Sequence, residues 1–186
     1  MFRLDEKDRL IISLLHDDQS ISQEEIAKEI GLSQPSVAMR IKKLRDRGMI
    51  DEILGVNLNK VGLYVAIVLI RTSNTTKILH MFRECPFFLN GFVISGDKNL
   101  MLLLAGEDLA SLESIIDERL RPDADVQSAD FNIMISSLKD FVMPMKMIER
   151  PLKQPPCGVE YKECQAFYEN RCFGCPATTR YKGSFW

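Results

Sequence analysis

Two short helices joined by a tight turn are predicted between Ser22 and Gly48, and this pattern restricts the fold more than any other. Ser22 is a typical N-cap, and a glutamate three residues later completes the spacing of a capping box. Gly31 ends the first helix. Pro35 suits the first turn of the second helix, where its missing N–H costs nothing. Together with an earlier apolar stripe at helical spacing, these signals predict a helical domain over residues 1–56.

The second of these helices is predicted to be a DNA-reading helix. The formal net charge of the chain is −2, yet residues 40–47 hold five cations and one acid. Contact with phosphate depends on where the cations lie, so this local charge favours double-stranded DNA as a partner. The alternative is a small helical bundle whose basic helix is only solvated. The predicted contacts, to base edges and then to phosphates or a guanine, are Gln34, Ser36 and Met39, followed by Arg40, Lys42, Lys43 and Arg45.

The hydrophobic pattern changes over residues 57–148. Strands are predicted at 64–72, 89–95, 100–105 and 126–136, with helices at 75–83 and 109–120. The order βαββαβ indicates a ferredoxin-like domain, in which two helices cover one face of an antiparallel sheet. Alternating apolar residues suggest that the other face is buried as well. A second copy of the chain is the simplest cover, so a homodimer is expected.

Residues 149–186 form a tail that holds four of the five cysteines of the chain. Their spacing is C-x6-C-x7-C-x2-C, given by Cys157, Cys164, Cys172 and Cys175. Four thiolates close a zinc site or hold an iron–sulfur cluster, and so short a segment needs a staple of some kind. Zinc is the first expectation. An iron–sulfur cluster is the alternative, and redox-active disulfides or free thiols are a third. Cys85 stands apart and is predicted to be a buried structural cysteine.

Two further function classes are weighed against a DNA-binding protein. One is an enzyme built on the ferredoxin-like domain with a redox tail, and the other is a pure interaction module. The sequence offers no nucleophile–base pair, no phosphate-cradling glycine loop and no carboxylate pair in a plausible setting, so no enzyme is expected. The longest apolar stretch, 64–70, is too short to span a bilayer, and no targeting segment is visible. A cytoplasmic location without membrane attachment is therefore expected.

The N-terminal part of the chain contains a series of short motifs: Leu4-Asp5-Glu6-Lys7-Asp8-Arg9, Ile21-Ser22, Ile26-Ala27, Gly31-Leu32-Ser33-Gln34-Pro35-Ser36-Val37, Arg40, Leu44 and Gly48-Met49-Ile50. Together these motifs resemble the opening of the Lrp/AsnC (leucine-responsive, feast/famine) regulators. The resemblance implies a winged helix-turn-helix, then an effector and oligomerisation domain with the order βαββαβ. It also implies dimers that often assemble into octamers. The fold class expected is thus α+β, with the cysteine-rich tail as an addition.

The turn between the second and third predicted strands resembles the glycine–aspartate effector motif of that family. This resemblance makes Gly96, Asp97, Asn99 and Leu100 the candidate effector residues, and it implies an amino acid or related metabolite bound at an interface between sheets. The family commonly has a second acidic residue where this chain has Asn99. An amide lacks the charge that an ammonium group favours, so the effector is expected to differ or to be absent. Ordinary hairpin chemistry explains the same residues equally well.

The resulting hypothesis is a sequence-specific regulator of transcription that is tuned by a small, amino-acid-like metabolite, by a metal or redox centre in the tail, or by both. The alternative is a redox-sensing or iron–sulfur-sensing regulator that has no amino-acid effector.

Overall fold

In the computed structural model, which describes residues 3–145, 147–148, 151–156 and 158–186, the chain divides into two units. These are Met1–Ile53 and Leu54–Trp186. The predicted helical domain forms the first unit. The predicted ferredoxin-like segment and the cysteine-rich tail lie together in the second.

The first unit consists of three helices in its described part. They are α1 (Glu6–Asp17), α2 (Gln23–Ile30) and α3 (Gln34–Asp46). Ser22 and Glu25 form the predicted capping box at α2, and Gly31 ends that helix in the left-handed conformation at φ 66°. Apolar side chains from all three helices meet in one core, which includes Ile11, Ile26, Ile41 and others. The predicted helix-turn-helix is confirmed, while the described residues of this unit contain no strand that forms a wing.

The second unit contains the predicted ferredoxin-like arrangement. Its elements are β1 (Val56–Asn57), β2 (Tyr64–Thr72), α4 (Thr75–Phe82), β3 (Phe88–Val93), β4 (Leu100–Gly106), α5 (Leu109–Ile115), a π-helical turn (Ile116–Leu120), β5 (Val126–Ile133), β6 (Val142–Met143) and α6 (Gln165–Tyr168). The main sheet is antiparallel, in the order β3-β4-β2-β5. Because β2 to β5 alternate with two helices as predicted, the βαββαβ order is confirmed. No described helix is long and apolar enough to cross a membrane.

The two faces of the sheet differ in what covers them. Successive side chains of a strand point to opposite faces. On one face, Val68 and Ile70 of β2 pack with the helices in a core that includes Phe82 and Leu112. The other face includes Ile67 and Leu69 of β2, with their cross-strand neighbours Met101, Leu103 and Phe92. We call these five residues the open sheet face; Phe92 is 40% exposed and the other four are half-buried.

Several elements carry no signal in the sequence. Strands β1 and β6 have two residues each, which is too short for a period to be recognised. The π-helical turn follows a local hydrogen bond in which the Ser114 hydroxyl donates to the Ser111 carbonyl at 2.8 Å. Serine hydroxyls that bond back to the helix in this way compete with its regular ladder. A helix was predicted to run regularly to position 120, and the last five residues are instead π-helical.

The tail packs onto the ferredoxin-like domain near the start of α5. The carboxylate of Glu107 accepts hydrogen bonds from the Tyr181 hydroxyl at 2.6 Å and from the backbone N–H groups of Ser184 and Phe185 at 2.9 and 2.6 Å. Burial alone would raise the pKa of Glu107, but these hydrogen bonds outweigh it and the pKa lies below its usual value. Trp186 packs edge-on against Phe87 with ring centroids 5.3 Å apart. The C-terminus is therefore anchored by a charged acceptor and an aromatic contact.

Candidate DNA-binding, effector and thiol sites

Helix α3 presents most of the predicted DNA contacts to solvent. Gln34, Lys42, Lys43 and Arg45 are exposed, and Met39 is 67% exposed. Two of the predicted base contacts have side-chain partners. Nε2 of Gln34 lies 3.4 Å from Oε1 of Gln23, and the Ser36 hydroxyl lies 2.8 Å from the Ser33 hydroxyl. Arg45 forms an exposed ion pair with Glu52. The exposed side of this helix thus combines amide, hydroxyl, thioether and ammonium groups.

Arg40 has a second role that its position in the sequence does not reveal. Its Nη1 atom donates to Oδ2 of Asp5 and to Oδ1 of Asp8, both at 2.7 Å. These two aspartates form the capping box of α1. The side chain of Asp8 is only 7% exposed, so its carboxylate depends on this cation. A hydrogen bond from the Asp8 N–H, followed by those from Arg40, lowers the pKa of Asp5. Arg40 therefore ties α3 to the start of α1.

The candidate effector residues surround the turn between β3 and β4. Gly96 adopts φ 114°, which only glycine adopts readily, and Ile94 N–H closes the turn onto the Asn99 carbonyl at 3.0 Å. Asp97 is exposed and pairs with Arg71 at 2.9 Å. Leu100 is fully buried in the core beneath the helices. Of the four predicted residues, the side chain of Asp97 is therefore the charged group that faces solvent.

Asn99 has a structural reason to be an amide. Its Oδ1 accepts from the Thr72 N–H at 3.0 Å and its Nδ2 donates to the Thr72 carbonyl at 2.8 Å. Thr72 ends β2 at an irregularity in the pairing with β5. A carboxylate offers only acceptors and could not satisfy the carbonyl. The departure from the acidic residue of the family thus supplies a clamp between the turn and the central strand.

Three of the predicted tail ligands line one cavity, and Cys157 lies outside the described residues. Cys164, Cys172 and Cys175 border a cavity of about 90 Å³, together with Cys85 from the segment after α4. Cys85 was predicted to be a structural cysteine, and local sequence gives no sign that it lies beside the tail. Among the described residues, no group of three or more His, Cys, Asp or Glu side chains is arranged to hold a metal ion.

The Cys172-Phe173-Gly174-Cys175 loop has a defined backbone conformation. Gly174 adopts φ 88°, and its N–H donates to Sγ of Cys172 at 3.3 Å. The Cys175 N–H donates to the Tyr161 hydroxyl at 2.9 Å, and Phe173 N–H donates to Ser111 Oγ at 2.8 Å. Burial raises the pKa of the Cys164 thiol. The loop is therefore held in place by bonds to α5 and to the preceding part of the tail.

Comparison with known proteins identifies both parts of the chain. Residues 4–51 match a winged helix-turn-helix DNA-binding family, and residues 65–143 match the Lrp/AsnC ligand binding domain. Transcriptional regulator AzlB of Bacillus subtilis is 30% identical over 143 residues, which are 73% of this chain and 91% of AzlB. The solved structure of B. subtilis LrpC is 26% identical, with a TM-score of 0.61 over 74% of this chain and 99% of LrpC. A Neisseria meningitidis regulator solved in complex with L-Met is 20% identical, with a TM-score of 0.63 over 74% of this chain and 93% of that chain.

A helix-turn-helix followed by this ligand-binding domain defines a class of DNA-binding transcriptional regulators. The chain belongs to the Lrp/AsnC family of that class. The predicted family and fold class are thereby confirmed. The cysteine-rich tail, residues 149–186, lies beyond residue 143, where the second family match ends.

Replacing Arg40 by alanine is expected to destabilise the first unit by about 1–3 kcal/mol, because it leaves the buried Asp8 carboxylate without its cation. Hydrogen exchange of the α1 and α3 amides, measured in the full chain, reports this change. Lys28→Ala is the control, since Lys28 forms only an exposed ion pair with Glu24 and should cost less than about 0.5 kcal/mol. Folding lowers the pKa of Asp5. The stability that Asp5 gains from its bond to Arg40 is therefore present above the usual pKa of Asp5 and is lost as the pH falls through its pKa in the folded chain. Equal exchange in Arg40→Ala and wild type at neutral pH would contradict the structural role.

Proposed function

We propose that α3 is the recognition helix and that it reads the major groove of double-stranded DNA. The observation that supports this most strongly is the exposure of Gln34 and Met39 ahead of two exposed lysines on one helix. An amide can bond to both groups of an adenine edge, and an apolar side chain suits a thymine methyl. Lys42 and Lys43 are suited to phosphates. Arg40 and Arg45 remain predicted DNA contacts. To reach DNA, each must leave the carboxylates with which it is paired or share them with a phosphate.

Substitution of both Lys42 and Lys43 by alanine is expected to weaken binding to all DNA sequences. Each phosphate contact that is lost should lower the slope of log affinity against log salt by roughly 0.9. The control is the double variant Lys153→Ala and Lys162→Ala, which removes the same charge from exposed positions in the tail. Gln34→Ala should instead change which sequence is preferred. An unchanged salt slope in the Lys42/Lys43 variant would exclude α3 as the phosphate-contacting helix.

We propose further that the chain acts as a homodimer, or an even multiple of one, joined through the open sheet face. Its five apolar residues lie side by side on three adjacent strands, and half-buried side chains of this kind gain free energy when a partner removes them from water. A two-fold dimer would present two copies of α3 to a near-palindromic DNA site in the cytoplasm.

A charge at the centre of the open sheet face tests this assembly. Leu69→Asp is expected to convert the dimer to a monomer at micromolar concentration, because an unpaired carboxylate would be buried at the interface. Light scattering coupled to size exclusion gives the mass directly. Leu138→Asp is the matched control, since Leu138 is fully exposed and lies outside the sheet. A wild-type chain that is monomeric under these conditions would exclude the dimer.

We also propose that a small metabolite with an ammonium group binds near the turn of Gly96 and Asp97, at an interface between subunits. Asp97 supplies an exposed carboxylate there, which the ammonium group would share with Arg71 or take over from it, whereas Asn99 is engaged with Thr72. Binding would shift the oligomeric state or the affinity for DNA. The size of the shift is set by the difference in the metabolite's affinity for the two states. Individual amino acids and related acids are expected to raise the melting temperature of the wild type and not of Asp97→Asn. No stabilisation by any of them would argue against an amino-acid effector.

Finally, we propose that the tail holds a thiolate-bound metal centre that tunes the regulator. The supporting observation is that Cys164, Cys172 and Cys175 border one cavity. The sequence makes Cys157 the expected fourth ligand and zinc the preferred metal, with an iron–sulfur cluster, or redox-active thiols without a metal, as the alternatives. A metal would stabilise the tail by joining segments of it that are separate in the sequence. Elemental analysis of chain purified without oxygen tests this proposal.

A further inference from the structure

The cavity between the tail and the helices of the ferredoxin-like domain has the size of a small-molecule site. Its volume is about 90 Å³. Met81 and Phe82 of α4 and Ile115 of α5 line it from the domain, and Tyr161 and Phe167 line it from the tail. A cavity of about 150 Å³ with apolar walls holds a benzene molecule, and one water needs only roughly 10–15 Å³. The space therefore suits an occupant of roughly four to six non-hydrogen atoms.

Polar groups on the lining are already engaged within the chain. The Tyr161 hydroxyl lies 2.6 Å from the Thr178 hydroxyl and accepts a hydrogen bond from the Cys175 N–H at 2.9 Å. The Ser114 hydroxyl donates to the Ser111 carbonyl at 2.8 Å. A polar ligand would have to displace these bonds in order to replace the water that it leaves behind. The cavity is therefore better suited to an apolar ligand than to a hydrogen-bonding one.

The chemistry of the remaining wall favours an uncharged aromatic ring. The charged residues on the lining are Glu118 and Arg119, which carry opposite charges and are adjacent in the π-helical turn. An ion would thus meet no excess of opposite charge. The thioether of Met81 and four cysteine sulfurs share the lining with aromatic side chains. Sulfur atoms pack favourably against the edge of an aromatic ring, and aromatic pairs gain free energy beyond that of the buried area.

Neighbouring rings hold the aromatic walls in place. Phe87 lines the cavity and packs edge-on against Trp186, with ring centroids 5.3 Å apart. Phe167 packs against Tyr161 at 4.3 Å between centroids, and Nζ of Lys182 lies 4.4 Å from the centroid of the Phe167 ring. Side chains that are fixed in this way cannot turn freely to fill the space, so the cavity persists until a ligand occupies it.

We propose that this cavity binds a small, uncharged molecule with a single aromatic ring. The site is distinct from the candidate effector turn. It also does not depend on the metal centre proposed for the tail, because the side chains of α4 and α5 that line it contain no tail cysteine. A bound ring contacts both the helices and the tail, so it stabilises the state in which the tail is packed on the helices. The molecule would thus control how the tail sits on the ligand-binding domain.

The test measures the thermal unfolding of the full chain with benzene as the probe. Emission of Trp186, the single tryptophan, reports the unfolding of the second unit, because this residue packs against the cavity wall. Benzene at about ten times its dissociation constant is expected to raise the melting temperature by about 3–6 °C. Benzoate, which adds a charge to the same ring, is expected to leave the melting temperature unchanged.

Variants on the helices locate the site without altering a cysteine. Ile115→Phe fills the cavity and is expected to abolish the effect of benzene. Leu109→Phe is the matched control, since Leu109 lies on the same helix but does not line the cavity, and it should keep the effect. Met81→Ala enlarges the cavity and is expected to make indole, a two-ring probe, stabilise the chain more than it stabilises the wild type. This second variant tests the site even if Ile115→Phe does not fold, which far-UV circular dichroism shows.

Contrary results separate this site from the metal centre. A wild type that benzene does not stabilise, or an equal effect of benzene in folded Ile115→Phe, overturns the proposed site. An equal effect of benzoate overturns the uncharged class of ligand. Zinc and iron are measured in the same samples. A chain that carries a metal and is not stabilised by benzene contradicts the cavity site alone, whereas a metal-free chain that benzene stabilises supports this site and contradicts only the metal centre.

Discussion

Strand β2 pairs on both sides, with β4 and with β5, and the rest of the second unit is arranged around it. Because its side chains alternate between two faces, Val68 and Ile70 enter the core beneath the helices while Ile67 and Leu69 point the other way. The far end of the same strand is clamped by Asn99 of the turn between β3 and β4. A single strand thus connects the helical core, the proposed dimer surface and the candidate effector site. A metabolite that moves this turn would therefore act directly on a strand of the proposed dimer surface.

The tail is attached to the same unit through the beginning of α5. Glu107 directly precedes Asp108, the N-cap of this helix. The Glu107 carboxylate accepts hydrogen bonds from residues near the C-terminus. One turn later, the Ser111 hydroxyl accepts from the backbone of the cysteine loop. The thiol-lined cavity lies between this loop and the end of α4. The tail therefore contacts both helices of the ligand-binding domain, and a change in the tail would alter the packing of α4 and α5.

In the first unit, Arg40 stabilises the fold although its position on the helix is typical of a DNA contact. Arg40 lies on α3, the proposed recognition helix, yet its guanidinium pairs with both carboxylates that cap α1. A partly buried ion pair of this kind costs more to break than an exposed one, since it leaves a desolvated carboxylate behind. The exposed Lys42 and Lys43 are thus better candidates for measuring the contribution of phosphates than Arg40 is.

Local patterns in the sequence were sufficient for the elements themselves. The capping box of Ser22 and Glu25, the left-handed Gly31 and the apolar alternation of β2 each involve neighbours a few positions apart, so their spacing predicts helix, turn and strand. The DNA-binding class and the βαββαβ order followed from them. The tertiary structure decided which distant groups meet. Arg40 and Asp5 are 35 positions apart, and Asn99 and Thr72 are 27 apart. Cys85 lies far from the tail in sequence and borders its cavity in space. Partners of this kind are set by how helices and strands pack, and no local period records that packing.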